Sequence, residues 1–345
     1  MTAAPALSVL DLVPVRRGQT SADAVGASLR LAERADELGF RRYWFAEHHN
    51  MPAVASTTPP VLIALAAGRT RSIRLGSGGV MLPNHAPFVV AEQFAALEAA
   101  APGRIDLGLG RAPGSDPVIT ALLRSSGPTS DADRFPSHVN DILALLRRDG
   151  ASLQLGERDY TVRATPAAAG VPEVWLLGSS DFSAQLAARL GLPYVFAHHF
   201  AGEGTERALD LYRTGFQPSE HAAAPRTFVT VNVVVGETRE EAEARALPSL
   251  LNMARMRSGQ PLTVLETVEQ AARADVSPAQ HELIAAMRGR WVVDAPEAAA
   301  AAVRALAERF GVDEVMVSPT AGAREADPVD RSLAREQTLE ALASA

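Results

Sequence analysis

The sequence contains no cysteine, which excludes disulfide bridges, iron–sulfur clusters, thiolate metal sites and a cysteine nucleophile. Positive charge is not in excess either: 33 basic residues against 40 acidic ones give a net charge of −7, so no basic stripe for nucleic acid is expected. No apolar run approaches the roughly 20 residues that a membrane span requires. Because the first residues also lack the basic region of a signal peptide, we expect a soluble, cytoplasmic protein.

The sequence does contain an ordinary globular composition, with 47% hydrophobic and 21% charged residues, arranged in a repeated pattern. Short apolar runs alternate with segments of helical spacing along the chain. This alternation predicts a parallel sheet whose strands are connected by helices. The predicted strands span residues 6–12, 43–46, 73–82, 105–110, 172–177, 192–197, 227–235 and 313–318.

The predicted fold class is α/β, a (β/α)8 TIM barrel. No G-x-G-x-x-G follows the first strand, which disfavours a dinucleotide-binding doubly wound fold, whereas eight strand–helix units suit a barrel of about 250 residues plus insertions. No linker divides the chain, so residues 1–345 are predicted to form one domain. Two helices at about 258–290 are predicted as an insertion before the last strand, and residues 151–165 as a polar hairpin or loop.

Helix boundaries are predicted from capping residues. Ser21 is the expected cap of the first helix, and Gly39 is suited to the left-handed position that ends it. After the fifth strand, a short helix is predicted over residues 183–190, ended by Gly191.

The clearest candidate chemistry follows the second strand. The apolar run of residues 43–46 stops at Glu47, His48, His49 and Asn50. In a parallel barrel the carboxyl ends of the strands share one rim, and ligands bind there. Because neighbouring side chains of a strand face opposite ways, at most one of the two histidines is expected to point into the cavity.

A metal site at this rim is conceivable. His198 and His199 follow the sixth strand and could face the first histidine pair, with Glu47 as a carboxylate ligand. However, neither H-x-H nor H-E-x-x-H spacing occurs. The pattern therefore favours a site without metal.

An anion site is predicted on the neighbouring strand ends. Arg111 follows the glycine-rich fourth strand, and its guanidinium fork matches phosphate oxygens. Ser180 and Ser183 bracket a helix start, where free backbone N–H groups and the helix dipole favour negative charge. The alternatives are an ion pair for Arg111 and a plain N-cap for Ser183. Taken together, the residues favour one bound phosphate.

Glycine is unusually frequent in the third strand, at Gly76, Gly78 and Gly79. Glycine has no side chain to pack, so it weakens a strand, and it commonly marks close approach of a flat or bulky group to the backbone. A bulge or tight core packing would account for these glycines equally well.

Several segments in order carry a family resemblance. They are AEHHN after the second strand, GSGGVMLPNHAP at the third, PGRIDLGLGRAPGSD at the fourth, VPEVWLLGSSDFSAQLAARLGLP at the fifth and sixth, and DEVMV at the last. The sequence resembles the bacterial luciferase-like class of flavin-dependent monooxygenases from Leu7 to Val317, and is most similar to its single-chain, luciferase-like oxidoreductases.

The resemblance implies a TIM barrel that binds FMN, usually as a homodimer. His48 matches the histidine that assists flavin oxidation, and Arg111 matches the phosphate-binding arginine. Gly78-Gly79 matches the small pair whose peptide, often cis, lies beneath the isoalloxazine, while Ser180 and Ser183 match the phosphate-binding Ser and Thr. The expected cofactor contacts are Glu47, Gly78, Gly79, Arg111, Leu177, Gly178, Ser179, Ser180 and Ser183.

The implied reaction uses reduced FMN as a cosubstrate. We expect a separate NAD(P)H:flavin reductase to supply it, since the chain has no nicotinamide fingerprint. Dioxygen would add at the flavin C4a carbon as a peroxide, and a small organic substrate such as an aldehyde or an aromatic or polyketide-type metabolite would be oxygenated. The substrate is expected against Trp44, Phe200 or lid residues, with the loop of residues 113–114 and the insertion as candidate lids.

Three departures from luciferase argue against light emission. Ser179 stands where luciferase has an acidic residue, Gly110 where it has a cysteine, and Gly114 where it has an aromatic residue. Within the same fold, an F420 (deazaflavin)-dependent oxidoreductase that transfers hydride remains an alternative, as does a flavin-binding protein without turnover. A barrel isomerase or hydrolase acting on a phosphorylated metabolite, with Glu47 and His48 as its acid and base, is the third.

Overall fold

The computed structural model describes residues 4–124 and 132–344, and the strands of its barrel alternate with helices. The strands are β1 (Ala6–Asp11), β2 (Arg42–Phe45), β3 (Arg74–Ser77), β4 (Val80–Met81), β5 (Ile105–Gly110), β6 (Ala151–Leu155), β7 (Arg158–Val162), β8 (Glu173–Gly178), β9 (Tyr194–Phe196), β10 (Thr227–Val235), β11 (Val292–Asp294) and β12 (Glu314–Pro319).

The helices form the outer layer. They are α1 (Ser21–Glu37), α2 (Pro59–Ala67), α3 (Pro87–Ala100), α4 (Pro117–Arg124), α5 (Phe135–Leu146), α6 (Asp181–Leu190), α7 (His198–Ala201), α8 (Thr205–Gly215), α9 (Arg239–Arg257), α10 (Val268–Ala272), α11 (Pro278–Arg288), α12 (Pro296–Phe310) and α13 (Leu333–Ala343). None of the helices in the described ranges is both long and apolar enough to cross a membrane.

Eight parallel strands close into a barrel, which confirms the predicted (β/α)8 fold. The order around the barrel is β1, β2, β3, β5, β8, β9, β10 and β12. Closure is shown by the pairing of Ala6 with Glu314 between β1 and β12, and of Thr227 with Tyr194 between β10 and β9. The antiparallel pair β6–β7 confirms the predicted hairpin.

Several boundaries differ from the predictions. The third strand is divided into β3 and β4 at Gly78-Gly79, whose peptide bond is cis. Thr20, not Ser21, caps α1, because its side chain accepts from the Asp23 amide in a capping box. Helix α6 begins at Asp181 rather than residue 183, so Ser180 is its N-cap. Strand β11 was not predicted; it extends the sheet by pairing with β10.

The middle of the barrel interior is apolar and aromatic. Trp44 lies 5.9 Å from Trp175 and 5.4 Å from Phe228 between ring centroids. Leu10, Val195 and Met316 belong to the same buried cluster, which is separate from the core between barrel and helices. The side chains of alternate residues enter the barrel, so this cluster fills its middle.

The amino end of the interior is filled by an ionic network. Asp106 accepts from Arg42, Arg74 and the Trp44 indole, and Arg42 also bonds Glu314 and Glu173. Asp106 is thus a buried acidic residue that the sequence did not reveal, and Arg42 and Arg74 donate hydrogen bonds to its carboxylate oxygens. Burial would lower the pKa of Arg42, yet the three carboxylates outweigh burial and raise it.

The carboxyl end of the interior has small residues on one side. Alternation from Trp44, Asp106 and Val195 brings Ala46, Gly110 and Ala197 to this end. Since large side chains fill the two layers below and small ones stand here, the open space of the barrel lies at the carboxyl end.

Candidate functional site

The predicted site residues lie on consecutive strand ends. His48 follows β2, Gly78 and Gly79 follow β3, Arg111 follows β5 and Ser179 follows β8, and β2, β3, β5 and β8 are neighbours in the barrel. The Gly78 amide donates to the Phe45 carbonyl at 2.8 Å, which joins the glycine pair to the end of β2. One arc of the rim therefore carries all of them.

His48 has a buried ring nitrogen, Nδ1, with no hydrogen-bond partner among the described residues. Burial lowers the pKa of His48 below its usual value of 6.5, although the nearby Gly114 carbonyl acts in the opposite direction. A buried polar atom without a protein partner is costly, and it is commonly satisfied by water or by a bound ligand. His48 is thus neutral at pH 7 and has a nitrogen free for one.

His49 is engaged elsewhere, as expected for two neighbouring side chains that diverge. Its Nε2 lies 2.9 Å from Glu47 Oε1, and the same oxygen lies 2.7 Å from Nε2 of His85. The Met81 amide donates to the other oxygen of Glu47 at 3.1 Å. Burial would raise the pKa of Glu47, but these hydrogen bonds outweigh it and the pKa is lowered.

This arrangement refines the predicted role of Glu47. Both of its carboxylate oxygens bind protein groups, so it holds two rim loops together. His85, its second imidazole partner, was missed by the sequence analysis. The residue stands in the segment GSGGVMLPNHAP that carried the resemblance, but its partner is 38 positions away.

The loop of residues 113–114, a predicted lid, is tied down. The Gly114 carbonyl accepts from the His49 amide at 3.1 Å, and the Pro113 carbonyl accepts from the Asn84 side chain at 2.7 Å. Gly114 has a φ of +64°, and a Cβ there would lie 2.8 Å from the Glu47 carbonyl oxygen. This loop packs on the Glu47 segment and closes the site from one side.

The insertion is also attached to the rim, at both of its ends. The Leu265 amide donates to the Val15 carbonyl at 2.9 Å, and Arg290 donates to the Ala201 carbonyl at 2.8 Å. Between these points, α10 and α11 pack on α9. The segment therefore forms an ordered wall beside the carboxyl end.

The glycines of the third strand are explained partly by core packing. A Cβ on Gly76 would lie 2.6 Å from Trp44 Nε1, and a Cβ on Gly78 would lie 2.6 Å from Leu10 Cδ1. A Cβ on Gly79 would lie 2.8 Å from the Gly108 carbonyl oxygen. Tight packing thus accounts for the lack of a side chain at all three positions. The cis Gly78-Gly79 peptide also places a stretch of backbone without side chains directly after β3.

Arg111 lies over the start of α6. Its guanidinium carbon is 4.2 Å from the centroid of the Phe182 ring. Within residues 4–124 and 132–344, no carboxylate forms an ion pair with it. The predicted alternative of an ion pair is therefore not realised in the described part of the chain, and the guanidinium is available to an anion.

The amino terminus of α6 fits the same anion. Ser180 is the N-cap, but its side chain makes no capping hydrogen bond, so it does not satisfy the first-turn N–H groups. Ser183 is buried, and a Cβ on Gly178 would overlap its hydroxyl, which explains the glycine. Ser179 and Ser180 are exposed, and Leu177 and Gly178 are half-buried. The serine-rich turn at Ser179 and Ser180 and the guanidinium of Arg111 thus both lie at the amino terminus of α6.

The second histidine pair also diverges. His198 is buried, with Nδ1 2.8 Å from the Thr205 hydroxyl and its ring 5.1 Å from Phe310 in the helical layer. His199 points inward, with Nδ1 2.5 Å from the Thr230 hydroxyl on β10. Burial, together with His48 and His198 nearby, lowers the pKa of His199 to about 4. His48 is therefore near enough to His199 for their charges to interact.

Trp44 was expected beside the substrate, and this prediction is wrong. Its side chain is completely buried in the middle layer and donates to Asp106 at 2.9 Å. Phe200, on α7, is exposed at the carboxyl end. Across the described ranges, no group of three His, Asp or Glu side chains is arranged to hold a metal ion.

Comparison with known proteins identifies relatives over most of the chain. The family model described as luciferase-like monooxygenase matches residues 7–314. A luciferase-like monooxygenase of Escherichia coli (strain K12) is 45% identical over 238 residues, which is 69% of each chain. An N-acetyl-S-alkylcysteine monooxygenase of Bacillus subtilis (strain 168) is 38% identical over 242 residues, covering 69% of this chain and 70% of the relative.

Solved structures share the whole architecture. The crystal structure of apo-MsnO8 superimposes with a TM-score of 0.85 at 33% identity, covering 99% of this chain and 98% of that one. The similarity thus includes the insertion and the rim loops as well as the barrel.

Proposed function

Because the chain belongs to the luciferase-like monooxygenase family and is a flavin-dependent monooxygenase, we propose that its flavin is FMN, bound in the reduced form at the carboxyl rim. One observation carries this proposal: the side-chain-free Gly78-Gly79 peptide lies on the arc between Arg111, which has no carboxylate partner in the described ranges, and His48, which has an unpaired buried nitrogen. Arg111 is complementary to a phosphate, the Gly78-Gly79 peptide to a flat ring system, and His48 to the polar edge of that ring system.

The groups have separate tasks in this proposal. Arg111 and the first-turn amides of α6 hold the phosphate, and Gly78-Gly79 supports the ring system. The reduced flavin, when bound, supplies two electrons to dioxygen, so that one oxygen atom enters the substrate and the other leaves as water. His48, neutral at pH 7, accepts or returns the proton that this transfer moves.

The substrate is a small organic molecule in this proposal. Glu47 fixes the loops around His48 through His49 and His85, and the loop of residues 113–114 and the insertion restrict access of water. Exclusion of water matters because a reactive oxygen species in the site is otherwise lost to solvent. Reduced FMN would come from a separate NAD(P)H:flavin reductase.

The test is an anaerobic titration with reduced FMN, with F420 and riboflavin as comparison ligands. Air containing ¹⁸O₂ is then admitted in the presence of a panel of aldehydes, thioethers and aromatic compounds, and products are analysed by mass spectrometry. We expect micromolar or tighter FMN binding and one labelled atom in a product. Tight F420 binding with hydride transfer and no label would contradict the proposal, as would FMN binding without any product.

Replacing Arg111 by alanine tests the phosphate assignment. A hydrogen bond to a charged group is worth about 1.5–3 kcal/mol, so we expect FMN binding to weaken by about tenfold to a hundredfold. Riboflavin, which lacks the phosphate, should bind the variant and the parent equally. The dissociation constants are measured by quenching of flavin fluorescence, with Arg148→Ala, at an exposed arginine in the turn after α5, as the matched control. Equal losses for both ligands would remove the assignment.

We also propose that the protein forms a homodimer through α2 and α3. Helix α2 has no charged residue, α3 has only Glu92 and Glu98, and the two helices pack against each other. Val61, Leu65, Phe88 and Val89 nevertheless expose large apolar side chains on them. A helix that is apolar on all sides is normally buried, and a contiguous exposed apolar patch marks an interface. The occupant proposed is a second copy of this chain.

Leu65→Glu tests the interface, because it would bury charge at its centre. We expect the parent to elute near twice the chain mass of 36.5 kDa, and the variant near that mass, in light scattering coupled to size exclusion. Val171→Glu, at an exposed valine outside α2 and α3, should leave the mass unchanged. A monomeric parent, or a variant that stays dimeric, would reject this surface.

A further inference from the structure

The wall of the barrel opposite the glycines is polar at its carboxyl end. On β10, alternation from Phe228 brings Thr230 and Asn232 into the interior, and on β12 the step from Met316 brings Ser318 to the same level. All three are buried, and Asn232 pairs with Ser318 in the sheet register. The strands β10 and β12 therefore contribute polar side chains to the interior near the carboxyl end, where the strand interior on the other side carries Ala46 and Gly110.

Two of these residues hold His199. Thr230 contacts the ring at Nδ1, and the Asn232 amide donates to the His199 carbonyl at 3.2 Å. The Thr230 hydroxyl also lies 3.3 Å from the Phe196 carbonyl, so its one hydrogen can be donated to that carbonyl while its oxygen accepts from His199. In this arrangement, which the first test below examines, the proton of the neutral ring is on Nδ1.

The other nitrogen of the ring, Nε2, is then a hydrogen-bond acceptor. In residues 4–124 and 132–344, no protein group bonds it, and the ring is only partly buried. His48 lies near enough for its charge to lower the pKa of His199. A ligand beside this ring would meet the lone pair on Nε2.

We propose that His199 is a substrate-recognising residue whose Nε2 accepts a hydrogen bond from an O–H or N–H group of the substrate. This inference deepens the proposed function and rests on it. It assigns the substrate to hydroxylated aromatic compounds, alcohols or secondary amides, and it excludes plain hydrocarbons, ethers and aldehydes, which have no donor. The low pKa of His199 supports the assignment, since the ring stays an acceptor through the neutral range.

The first test needs no substrate. The protein carries eight histidines, so ¹⁵N-histidine labelling gives a simple long-range ¹H–¹⁵N spectrum in which His199→Gln identifies the His199 signals. At pH 7 we expect a protonated Nδ1 and an unprotonated Nε2. Thr230→Val, which keeps the side-chain shape, should mix the two tautomers. A protonated Nε2 in the parent protein would overturn the inference.

The second test uses matched probes with FMN-loaded protein. The pairs are 4-propylphenol with 4-propylanisole, and N-hexylacetamide with N-hexyl-N-methylacetamide, each differing by one donor. We expect at least one donor probe to bind about tenfold more tightly than its methylated partner and to shift the Nε2 signal, since one net hydrogen bond is worth roughly this factor. Equal binding within both pairs, or no binding of any probe, would overturn the substrate class.

Variants at the same position separate recognition from folding. His199→Phe should equalise the two members of a pair, whereas His199→Gln, which places an amide oxygen near the former Nε2, should keep most of the preference. His221→Phe, at a histidine outside the barrel, is the matched control. Flavin fluorescence measures FMN loading first: failure to load contradicts the proposed function, while normal loading with no donor preference contradicts only the role of His199.

Discussion

Replacing His48 by alanine should lower the rate of substrate oxygenation by a factor of about 10²–10⁴, the usual contribution of a general acid or base. FMN binding should change little, because the phosphate contacts lie on other strands. The measurement is product formation with labelled dioxygen at saturating reduced FMN, beside the dissociation constant for FMN. Unchanged turnover would reject the role of His48.

The pH dependence gives a second measure of the same residue. The pKa of His48 is lowered from 6.5, so the ring is neutral above that value and its charge changes only at lower pH. Turnover should therefore be constant from pH 8 to about 6.5 and fall below it. His221→Ala, outside the barrel, is the matched control and should retain both the rate and this profile.

Asp106→Asn should destabilise the fold by about 3–5 kcal/mol, because removing one partner of a buried ion pair leaves the other charge uncompensated. The side chains of Arg42 and Asp106 are 4% and 0% exposed. The network already joins four arginines, Arg41, Arg42, Arg74 and Arg226, to three carboxylates. Loss of one negative charge increases this imbalance. Urea-induced unfolding followed by circular dichroism measures the effect.

A surface pair of similar geometry is the control. Arg309 and Glu206 are 2.9 Å apart, but their side chains are 62% and 61% exposed. Exposed pairs contribute only about 0–1 kcal/mol, so Glu206→Gln should barely move the unfolding midpoint. If Asp106→Asn behaved like Glu206→Gln, the ionic network would have no special place in the stability of the barrel.

The sequence predicted the architecture because that information is local. The β-branched run of β10 and the capped helices between strands indicate their structure within a few residues, and eight such units leave few topologies. The ends of parallel strands meet at one rim, so His48 and Arg111 could be brought to the same edge without coordinates. The resemblance added the cofactor, and the family membership is confirmed.

Two kinds of information could not be predicted: the level of a side chain along the barrel axis, and contacts between residues far apart in the sequence. Trp44 was recognised as part of a strand, but nothing local shows that Arg42 and Ala46 stand below and above it in the barrel. His85 binds a carboxylate 38 positions away, and Asp106 looks like any other acidic residue until Arg42 and Arg74 surround it. The interruption of the third strand at Gly78-Gly79 likewise follows from its packing on β5.

The layering of side chains along the barrel axis has a consequence for how the protein can evolve. Charged pairs fill the amino end of the barrel and aromatic side chains fill its middle, whereas alanine, glycine and hydroxyl-bearing residues line part of the carboxyl end. Substitutions at the carboxyl end leave the contacts of the amino end and of the middle layer unchanged. Proteins descended from one ancestral chain can therefore change their substrate preference by substitutions at a few positions of the carboxyl end. The stability of the barrel does not have to be regained first.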